Sequence, residues 1–276
     1  MTHFKQKLLK NTMLLIALTQ LWQCTHPIGH IKAHAEQHNL QTITFSNNDI
    51  DLKGYINHNN NPNKTVYIYL EGDGKPWDTY WPAKDPNTTK STSLPLMTLS
   101  NRDALYLFRP CYGWRSMPTN CNHSLWTSAR YSQQVVDLLD AAIDQHRLQF
   151  KPKHYILVGH SGGATLALLL AAKRDDVTAV ISLAGNLDHK AWTDYFGYLP
   201  LSQSLMPVAR EYYPSRQKHW YLIAKEDKSV PPKLQTQAIE ESPNNIVKFY
   251  DNFTHQCCWQ SIWPALLNEV EQTLNL

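Results

Sequence analysis

The sequence predicts an α/β fold with a mostly parallel sheet that is covered by helices on both faces. Short β-branched or aromatic runs alternate with helical segments, and the central runs are apolar throughout, as strands buried on both faces require. No internal repeat or second domain is visible. About eight runs have strand character: 42–45, 50–56, 65–70, 104–108, 155–158, 177–183, 220–224 and 246–250.

Composition narrows the functional classes. The chain of 276 residues is long enough for one sizeable core. Its formal net charge of +3 is too small to indicate nucleic-acid binding, and no basic cluster or RNA-binding motif occurs. The cysteine and histidine spacings do not match zinc motifs. We therefore predict neither a nucleic-acid partner nor a metal site.

The N-terminus has the charge order of a secretory signal. Lys5, Lys7 and Lys10 precede an apolar run at 13–18, and no acidic residue occurs before Glu36. The apolar run is short for a membrane span. We therefore expect export to the periplasm, to the outer membrane as an anchored lipoprotein, or to the medium.

Two cleavage sites compete in this stretch. Cys24 lies where a bacterial lipoprotein signal has its lipidated cysteine, although Gln23 replaces the usual small residue, and a lipid on Cys24 would attach the protein to a membrane. The alternative is cleavage after Ala33-His34-Ala35. We slightly favour the first site, and the resulting segments are a signal at 1–24 and one domain at 25–276, with a polar tether at 25–39.

Cysteine parity is consistent with export. Of the five cysteines, four remain once Cys24 is set aside, an even number in an oxidising compartment. Cys111 and Cys121 would close a short loop, so we predict a disulfide between them. The adjacent Cys257 and Cys258 could form a bridge, stay reduced or pair elsewhere.

Several segments between the strands have a distinct character. Residues 82–100 are rich in Pro, Thr and Ser, which predicts an irregular excursion with one short helix. Apolar residues beginning at Tyr131 recur with a helical period, which predicts a helix at 128–148. Residues 186–217 lose the alternation and predict a small lid, and later helices are expected at 232–241 and after 258.

The centre of the chain is a strand, a serine-bearing turn and a helix. The apolar run 155–158 enters Gly159-His160-Ser161-Gly162-Gly163, and an Ala/Leu-rich segment follows. A side chain at position 159 or 163 would collide with a neighbouring strand or helix, and the helix N-terminus favours negative charge near the serine hydroxyl. With this motif the chain resembles the α/β-hydrolase family over nearly the whole of its exported part.

This resemblance implies a catalytic triad in the chain order Ser, acid, His. Ser161 would be the nucleophile. Asp227 would be the acid, in a turn similar to the family's G-x-x-D-x-x-V-P with Ala224 in place of Gly, and Asp188 after the sixth strand is its rival. His255 would be the base, because it is the only histidine that follows Asp227.

The resemblance also implies an oxyanion hole, in which backbone N–H groups bind the negative oxygen of the reacting group. One expected donor is the amide of Gly162, and the other is the amide of Asp73 or next that of Gly74, after the third strand. Glu71 and Asp73 depart from the family's His-Gly pattern, and their carboxylates must turn away from the developing charge. The residues expected to contact substrate are Trp77, Trp192, Tyr195 and Phe196.

The sequence therefore predicts a serine hydrolase that cleaves a small ester or thioester through an acyl-enzyme, without a metal or organic cofactor. Peptidase or acyl-transfer activity would use the same triad. A binding protein that keeps the fold and lacks the chemistry is the alternative from another functional class. The sequence does not predict the acyl chain, the alcohol or the oligomeric state.

Overall fold

A computed structural model describes residues 26–59, 64–207 and 217–276 and confirms the α/β architecture. Eight strands form one sheet, and two further two-residue strands, Trp77–Asp78 and Trp81–Pro82, form a separate hairpin. In chain order the sheet contains β1 (Gln41–Phe45), β2 (Leu52–Asn57), β3 (Thr65–Leu70), β4 (Ala104–Leu107), β5 (His154–His160), β6 (Val177–Leu183), β7 (Lys218–Ala224) and β8 (Asn245–Tyr250).

The strand order across the sheet is β1-β2-β4-β3-β5-β6-β7-β8. β2 is antiparallel to both of its neighbours, and all other pairs are parallel. Every residue of β3 and β4 is buried, which explains why their sequences are apolar rather than alternating. Because parallel strands end at the same edge of a sheet, the loops after β3, β5, β7 and β8 meet there.

The described part of the chain contains seven α-helices, none of them long and apolar enough to cross a membrane. They are α1 (Pro27–Gln37), α2 (Ser93–Leu99), α3 (Gln133–Phe150), α4 (Gly162–Lys173), α5 (His189–Phe196), α6 (Pro232–Gln237) and α7 (Trp263–Leu274). α2 packs on β3 and β4 and contacts α1 and α7, whereas α4 packs on β5 and β6 and contacts α3.

The predicted tether at 25–39 is wrong, because α1 occupies most of it. Ile28, Ile31 and Ala35 are spaced at three and four residues and are all buried, so the helix has a core-facing side that its many histidines obscure in the sequence. Cleavage after Ala35 would divide this helix. Cys24 lies outside the described residues, and its lipidation stays a prediction together with export.

The helix predicted at 128–148 begins later than expected. Ser132 is its N-cap, since the hydroxyl accepts a hydrogen bond from the Val135 amide at 3.4 Å, and α3 then runs from Gln133 to Phe150. Tyr131 therefore precedes the helix and does not belong to its apolar side. The helix predicted at 232–241 is shorter, ending at Gln237.

Two other predicted features have different outcomes. The irregular excursion at 82–100 contains one short helix, α2, as expected. The lid predicted at 186–217 contains α5, but residues 208–216 lie outside the described ranges, so the lid as a unit stays a prediction.

The sulfurs of Cys111 and Cys121 are joined, with Cα atoms 5.7 Å apart, and those of Cys257 and Cys258 are joined as well.

Candidate active site

Ser161 lies in a sharp turn between β5 and α4. Its φ of 55° and ψ of −122° are rarely adopted by a residue with a side chain, so the surrounding contacts must hold the turn in place. The Ser161 amide donates to the Leu183 carbonyl at 2.9 Å, and the Ser161 carbonyl accepts from Ala164 and Asn186 amides at 3.0 and 3.2 Å. The half-buried side chain thus projects from a fixed backbone, as a nucleophile requires.

The glycines on either side of Ser161 allow this turn to pack closely. A Cβ added at Gly159 would lie 2.4 Å from the Gly163 carbonyl oxygen, and one added at Gly163 would lie 2.3 Å from the Leu70 carbonyl oxygen. Both distances are well inside van der Waals contact, so the serine turn, α4 and β3 could not approach this closely with larger residues. The collision predicted from the sequence would therefore occur with the carbonyl oxygens of Gly163 and Leu70.

Asp227 and His255 form a hydrogen-bonded pair at the same edge of the sheet. His255 Nδ1 lies 2.8 Å from Asp227 Oδ2, and the Asp227 side chain is fully buried. Asp227 Oδ1 accepts from the amides of Ser229 and Val230 at 2.8 and 2.9 Å. Gln235 Nε2 donates to Oδ2 at 3.2 Å. Together these hydrogen bonds fix the orientation of the carboxylate beside His255.

His255 is also held beside the serine turn through its backbone. His160 Nε2 lies 2.8 Å from the His255 carbonyl oxygen, to which Trp259 Nε1 also donates at 3.1 Å, and the two histidine ring centroids are 4.8 Å apart. Within the described residues no hydrogen bond joins Ser161 Oγ to His255. Such contacts are often long until substrate binds, so the arrangement remains compatible with a triad.

The rival acid has a different function in the structure. Asp188 is the N-cap of α5, and its Oδ1 accepts a hydrogen bond from the Ala191 amide at 2.8 Å. This carboxylate therefore satisfies an unpaired amide in the first turn of a helix. Of the two acids considered, only Asp227 contacts His255.

Two backbone amides are free at the expected position of the oxyanion hole. In the part of the chain that the structure describes, neither the Asp73 nor the Gly162 N–H donates to an acceptor. The two residues touch, because a Cβ added at Gly162 would lie 2.0 Å from Asp73 Oδ1. The Gly74 N–H also has no acceptor among the described residues, so Asp73 stays the first and Gly74 the second candidate for the other donor.

The Glu71 carboxylate turns away from these amides. Its Oε2 accepts hydrogen bonds from the Ser91 hydroxyl and, at 3.0 Å each, from the Thr92 and Ser93 amides at the start of α2. Its Oε1 lies 3.3 Å from His160 Nδ1. Burial would raise the pKa of Glu71, but these donors outweigh it and hold the pKa below its ordinary value.

The Asp73 carboxylate stays beside Gly162 but is paired with two buried arginines. Arg130 Nη1 lies 2.8 Å from Oδ2, and Arg109 Nη1 contacts Oδ1. Burial opposes ionisation, yet Arg130 and Arg109 hold the pKa of Asp73 well below its usual range. The expectation that both carboxylates turn away thus holds for Glu71 and not for Asp73, whose negative charge beside Gly162 is instead offset by two guanidinium groups.

The predicted substrate-contacting aromatics lie in two places. Trp192 Nε1 donates to the Ser229 carbonyl at 2.8 Å, which attaches α5 to the loop that carries Asp227. Phe196 packs against Trp192 at 5.9 Å between ring centroids, whereas Tyr195 is 63% exposed. Trp77 is half-buried in the small hairpin that follows residues 71–74, the stretch after β3 that we call the oxyanion loop. Their contact with substrate stays a prediction.

Several side chains at the site were not predicted: Arg109, Arg130, Tyr131, His160 and Gln235. Arg109 offered the clearest indication, because a charged residue just after a buried strand lies at the functional edge of a parallel sheet. The other four had no distinctive pattern. Among residues 26–59, 64–207 and 217–276, no three His, Cys, Asp or Glu side chains are grouped as a metal site.

Comparisons with known proteins bear on the fold alone. No protein-family model matches the chain. No curated protein matches its sequence. Among solved structures, the esterase Pf2001 of Pyrococcus furiosus is similar over 87% of this chain and 95% of its own, with a TM-score of 0.61 and 14% identity.

A second solved structure has the same architecture. The XC6422 protein of Xanthomonas campestris, described as an α/β serine hydrolase without a lid, is similar over 86% of this chain and 96% of its own, with a TM-score of 0.57 and 14% identity. The sheet order and the serine turn after β5 agree with these likenesses. The chain therefore has the α/β-hydrolase fold.

Proposed function

We propose that this protein is a serine hydrolase that cleaves a small ester or thioester through an acyl-enzyme. The observation that carries the proposal is the 2.8 Å contact between His255 Nδ1 and the buried Asp227 carboxylate. It occurs at the same sheet edge as Ser161, whose backbone is held at a φ of 55°. A buried acid, an imidazole and a strained serine rarely share one edge for structural reasons alone.

The first half of the reaction follows from these contacts. The Asp227 carboxylate accepts a hydrogen bond from the Nδ1–H of His255, which keeps the proton on Nδ1 and leaves the Nε2 lone pair free to act as a base. Nε2 takes the Ser161 proton as Oγ attacks the carbonyl carbon, and the oxygen that becomes negative is bound by the Asp73 and Gly162 amides. His255 then gives the proton to the departing alcohol or thiol, and the acyl group remains on Ser161.

The second half uses the same groups with water in place of the alcohol. His255 removes a proton from water, the resulting nucleophile attacks the acyl-enzyme, and the Asp73 and Gly162 amides bind the second oxyanion. Collapse of this intermediate returns the proton to Ser161 and releases a carboxylic acid. The esterase activity named for the Pyrococcus furiosus neighbour supports an ester over an amide as the substrate.

Fluorophosphonate labelling tests the proposal directly. The wild-type protein should be labelled, and Ser161→Ala should lose the label and at least about a thousandfold of its kcat on a short chromogenic ester while remaining folded. Ser202→Ala, at an exposed serine, is the matched control and should keep both label and activity. A wild-type chain that is neither labelled nor active would instead be a binding protein that retains the fold.

A further inference from the structure

A buried charged cluster lies directly behind the oxyanion loop. We call it the Asp73 cluster, and it consists of Asp73, Arg109, Arg130 and Tyr131. Asp73 follows β3, Arg109 follows β4, and the other two residues precede α3. Three separate parts of the chain therefore converge on one carboxylate.

Each oxygen of the Asp73 carboxylate is occupied. Arg109 Nη1 contacts Oδ1, Arg130 Nη1 donates to Oδ2 at 2.8 Å, and the Tyr131 hydroxyl lies 2.9 Å from Oδ1 and 2.7 Å from Oδ2. The arginine side chains are only 2% and 3% exposed, and Tyr131 is fully buried. Charge-assisted hydrogen bonds of this kind fix geometry strongly when water is excluded.

The arginines are themselves anchored to the backbone. Arg109 Nη2 donates to the Arg130 carbonyl at 2.7 Å, and Arg130 Nε donates to the Thr127 carbonyl at 2.8 Å. The Tyr112 hydroxyl donates to the Asp73 carbonyl at 2.8 Å. Both the side chain and the carbonyl group of Asp73 are thus held by hydrogen bonds.

The cluster is in contact with the other proposed oxyanion donor. A Cβ added at Gly162 would lie 2.0 Å from Asp73 Oδ1 and 2.3 Å from the Tyr131 hydroxyl oxygen. The carboxylate therefore packs directly on the Gly162 Cα. A movement of this carboxylate would change the separation of the Asp73 and Gly162 amides.

The charge of the cluster also matters at this position. A lone carboxylate against Gly162 would oppose an oxyanion on the neighbouring amides. Within the cluster one carboxylate is paired with two guanidiniums, which leaves a surplus of one positive charge beside Gly162. The nearby Glu71 carboxylate is directed instead to the Thr92 and Ser93 amides. In a buried site that surplus favours a developing negative oxygen.

We propose that the Asp73 cluster positions the oxyanion hole and supplies it with positive charge. The Asp73 amide would contact the reacting oxygen, whereas Arg109, Arg130 and Tyr131 act through Asp73 and are positioning residues. This inference rests on the proposed function and adds to it the device that aligns the two amides. Because the alignment matters most when the oxygen is negative, the cluster acts on kcat rather than on substrate binding.

Tyr131→Phe tests this proposal with the smallest change. It removes one hydroxyl and keeps the ring, and it should lower kcat about tenfold with KM within about twofold. The affinity for an aryl boronic acid, which mimics the tetrahedral intermediate, should fall by the same factor. The matched control is Tyr155→Phe, an equally buried tyrosine at the other end of β5 whose hydroxyl contacts His146, and it should leave both values unchanged.

Arg130→Lys is the second variant. It keeps the positive charge but loses the fork that binds Asp73 and Thr127 together, so kcat should again fall at unchanged KM. Either variant with wild-type kcat and boronic acid affinity would overturn the proposal, as would loss of folding in both. Labelling of the wild-type protein by a fluorophosphonate distinguishes the two proposals. If the wild type is labelled, a failed variant test overturns this inference alone. If it is not labelled, both the proposed function and this inference are overturned.

Discussion

Two arginine-centred clusters lie at opposite ends of β5, and they differ in how many carboxylates each arginine binds. At the carboxyl end, one carboxylate of Asp73 is shared by Arg109 and Arg130. At the amino end, one arginine, Arg174, binds three carboxylates, and we call this group the Arg174 cluster. Its ion pairs are to Asp140 at 2.6 Å, Asp144 at 2.9 Å and Asp176 at 2.8 Å. Two of these carboxylates also have a more exposed partner, since Lys173 lies 3.1 Å from Asp140 and Arg147 lies 3.4 Å from Asp176.

The difference indicates different tasks for the two ends. A positive surplus lies where the proposed reaction develops a negative oxygen, and it is almost entirely out of water. At the amino end the acids come from α3 and the start of β6, while Arg174 ends α4, so the pairs tie three elements together. The Asp144 side chain is 59% exposed, so water also solvates its charge. We therefore expect changes at the carboxyl end to alter rate and changes at the amino end to alter stability.

The largest expected effect is at the carboxyl end, in Asp227→Asn. The amide would no longer fix His255 in the tautomer with a proton on Nδ1, although the Asn oxygen can still accept from the Ser229 and Val230 amides. We expect kcat to fall by about 10³ to 10⁴. Steady-state hydrolysis of a short ester measures this, and a urea titration should show a much smaller change in stability.

Asp188→Asn is the matched control for that variant. Asn is also a good N-cap, so the hydrogen bond with the Ala191 amide survives and α5 keeps its start. We expect kcat within about fivefold of wild type. If the two substitutions reduced kcat equally, the assignment of Asp227 as the partner of the base would be wrong.

The sequence predicts the contact between Asp227 and His255 better than it predicts what surrounds the proposed site. Ser161, Asp227 and His255 each follow a recognisable strand, and the parallel sheet brings strand ends to one edge whatever the loops do. The structure joins Asp227 and His255 at 2.8 Å in agreement with that logic. The topology of the sheet therefore predicts a contact between two residues that are 28 positions apart in the chain.

The Asp73 cluster could not be predicted in the same way. Asp73 and Tyr131 are 58 positions apart, and Arg130 and Tyr131 lie in a segment without secondary structure just before α3. Loop residues have no periodicity from which burial can be inferred. Tyr131 even matched the helical period of the next element, and α1 was missed because polar histidines separate its three buried residues.

His146 should give the amino end its own pH dependence. Burial, with a smaller contribution from the charge of His58, lowers the pKa of His146 to about 4, whereas the unfolded chain binds this proton near pH 6.5. Stability should therefore be full above about pH 6.5 and fall by up to about 3 kcal/mol as the pH drops to about 4. The depressed pKa of Asp73 acts in the same sense but at lower pH, since its contribution to stability is present above about pH 4 and is lost only as the pH falls below that value.

His146→Gln separates this effect from the others. Urea unfolding at about pH 7 and about pH 4.5 should show a smaller loss of stability in the variant than in the wild type, with kcat at neutral pH unchanged. Some dependence should remain, because burial also lowers the pKa of His34 and His189. His30→Gln, at an exposed position, should leave the wild-type difference intact. Equal losses in wild type and His146→Gln would exclude His146 as the cause.

The smallest expected effect tests the Arg174 cluster itself. Arg174→Met keeps the apolar stem and removes the charge that binds Asp140, Asp144 and Asp176. We expect the free energy of unfolding to fall by about 2 kcal/mol, less than for a fully buried pair, because Asp144 and partly Asp140 can regain water. Urea titration at neutral pH measures this, and kcat should stay within about twofold.

Arg147→Met is the control for that result. The Arg147 side chain is 58% exposed and lies 3.4 Å from Asp176, so its removal should lower the free energy of unfolding by less than about 0.5 kcal/mol. Tyr131→Phe should show the reverse of Arg174→Met, a lower kcat with little change in stability. The two clusters then have different roles. The Asp73 cluster positions an amide that binds the negative oxygen, and the Arg174 cluster holds α3, α4 and β6 together. A fall in kcat for Arg174→Met at unchanged stability would contradict that separation, because it would mean that the amino end of β5 also positions the reacting groups.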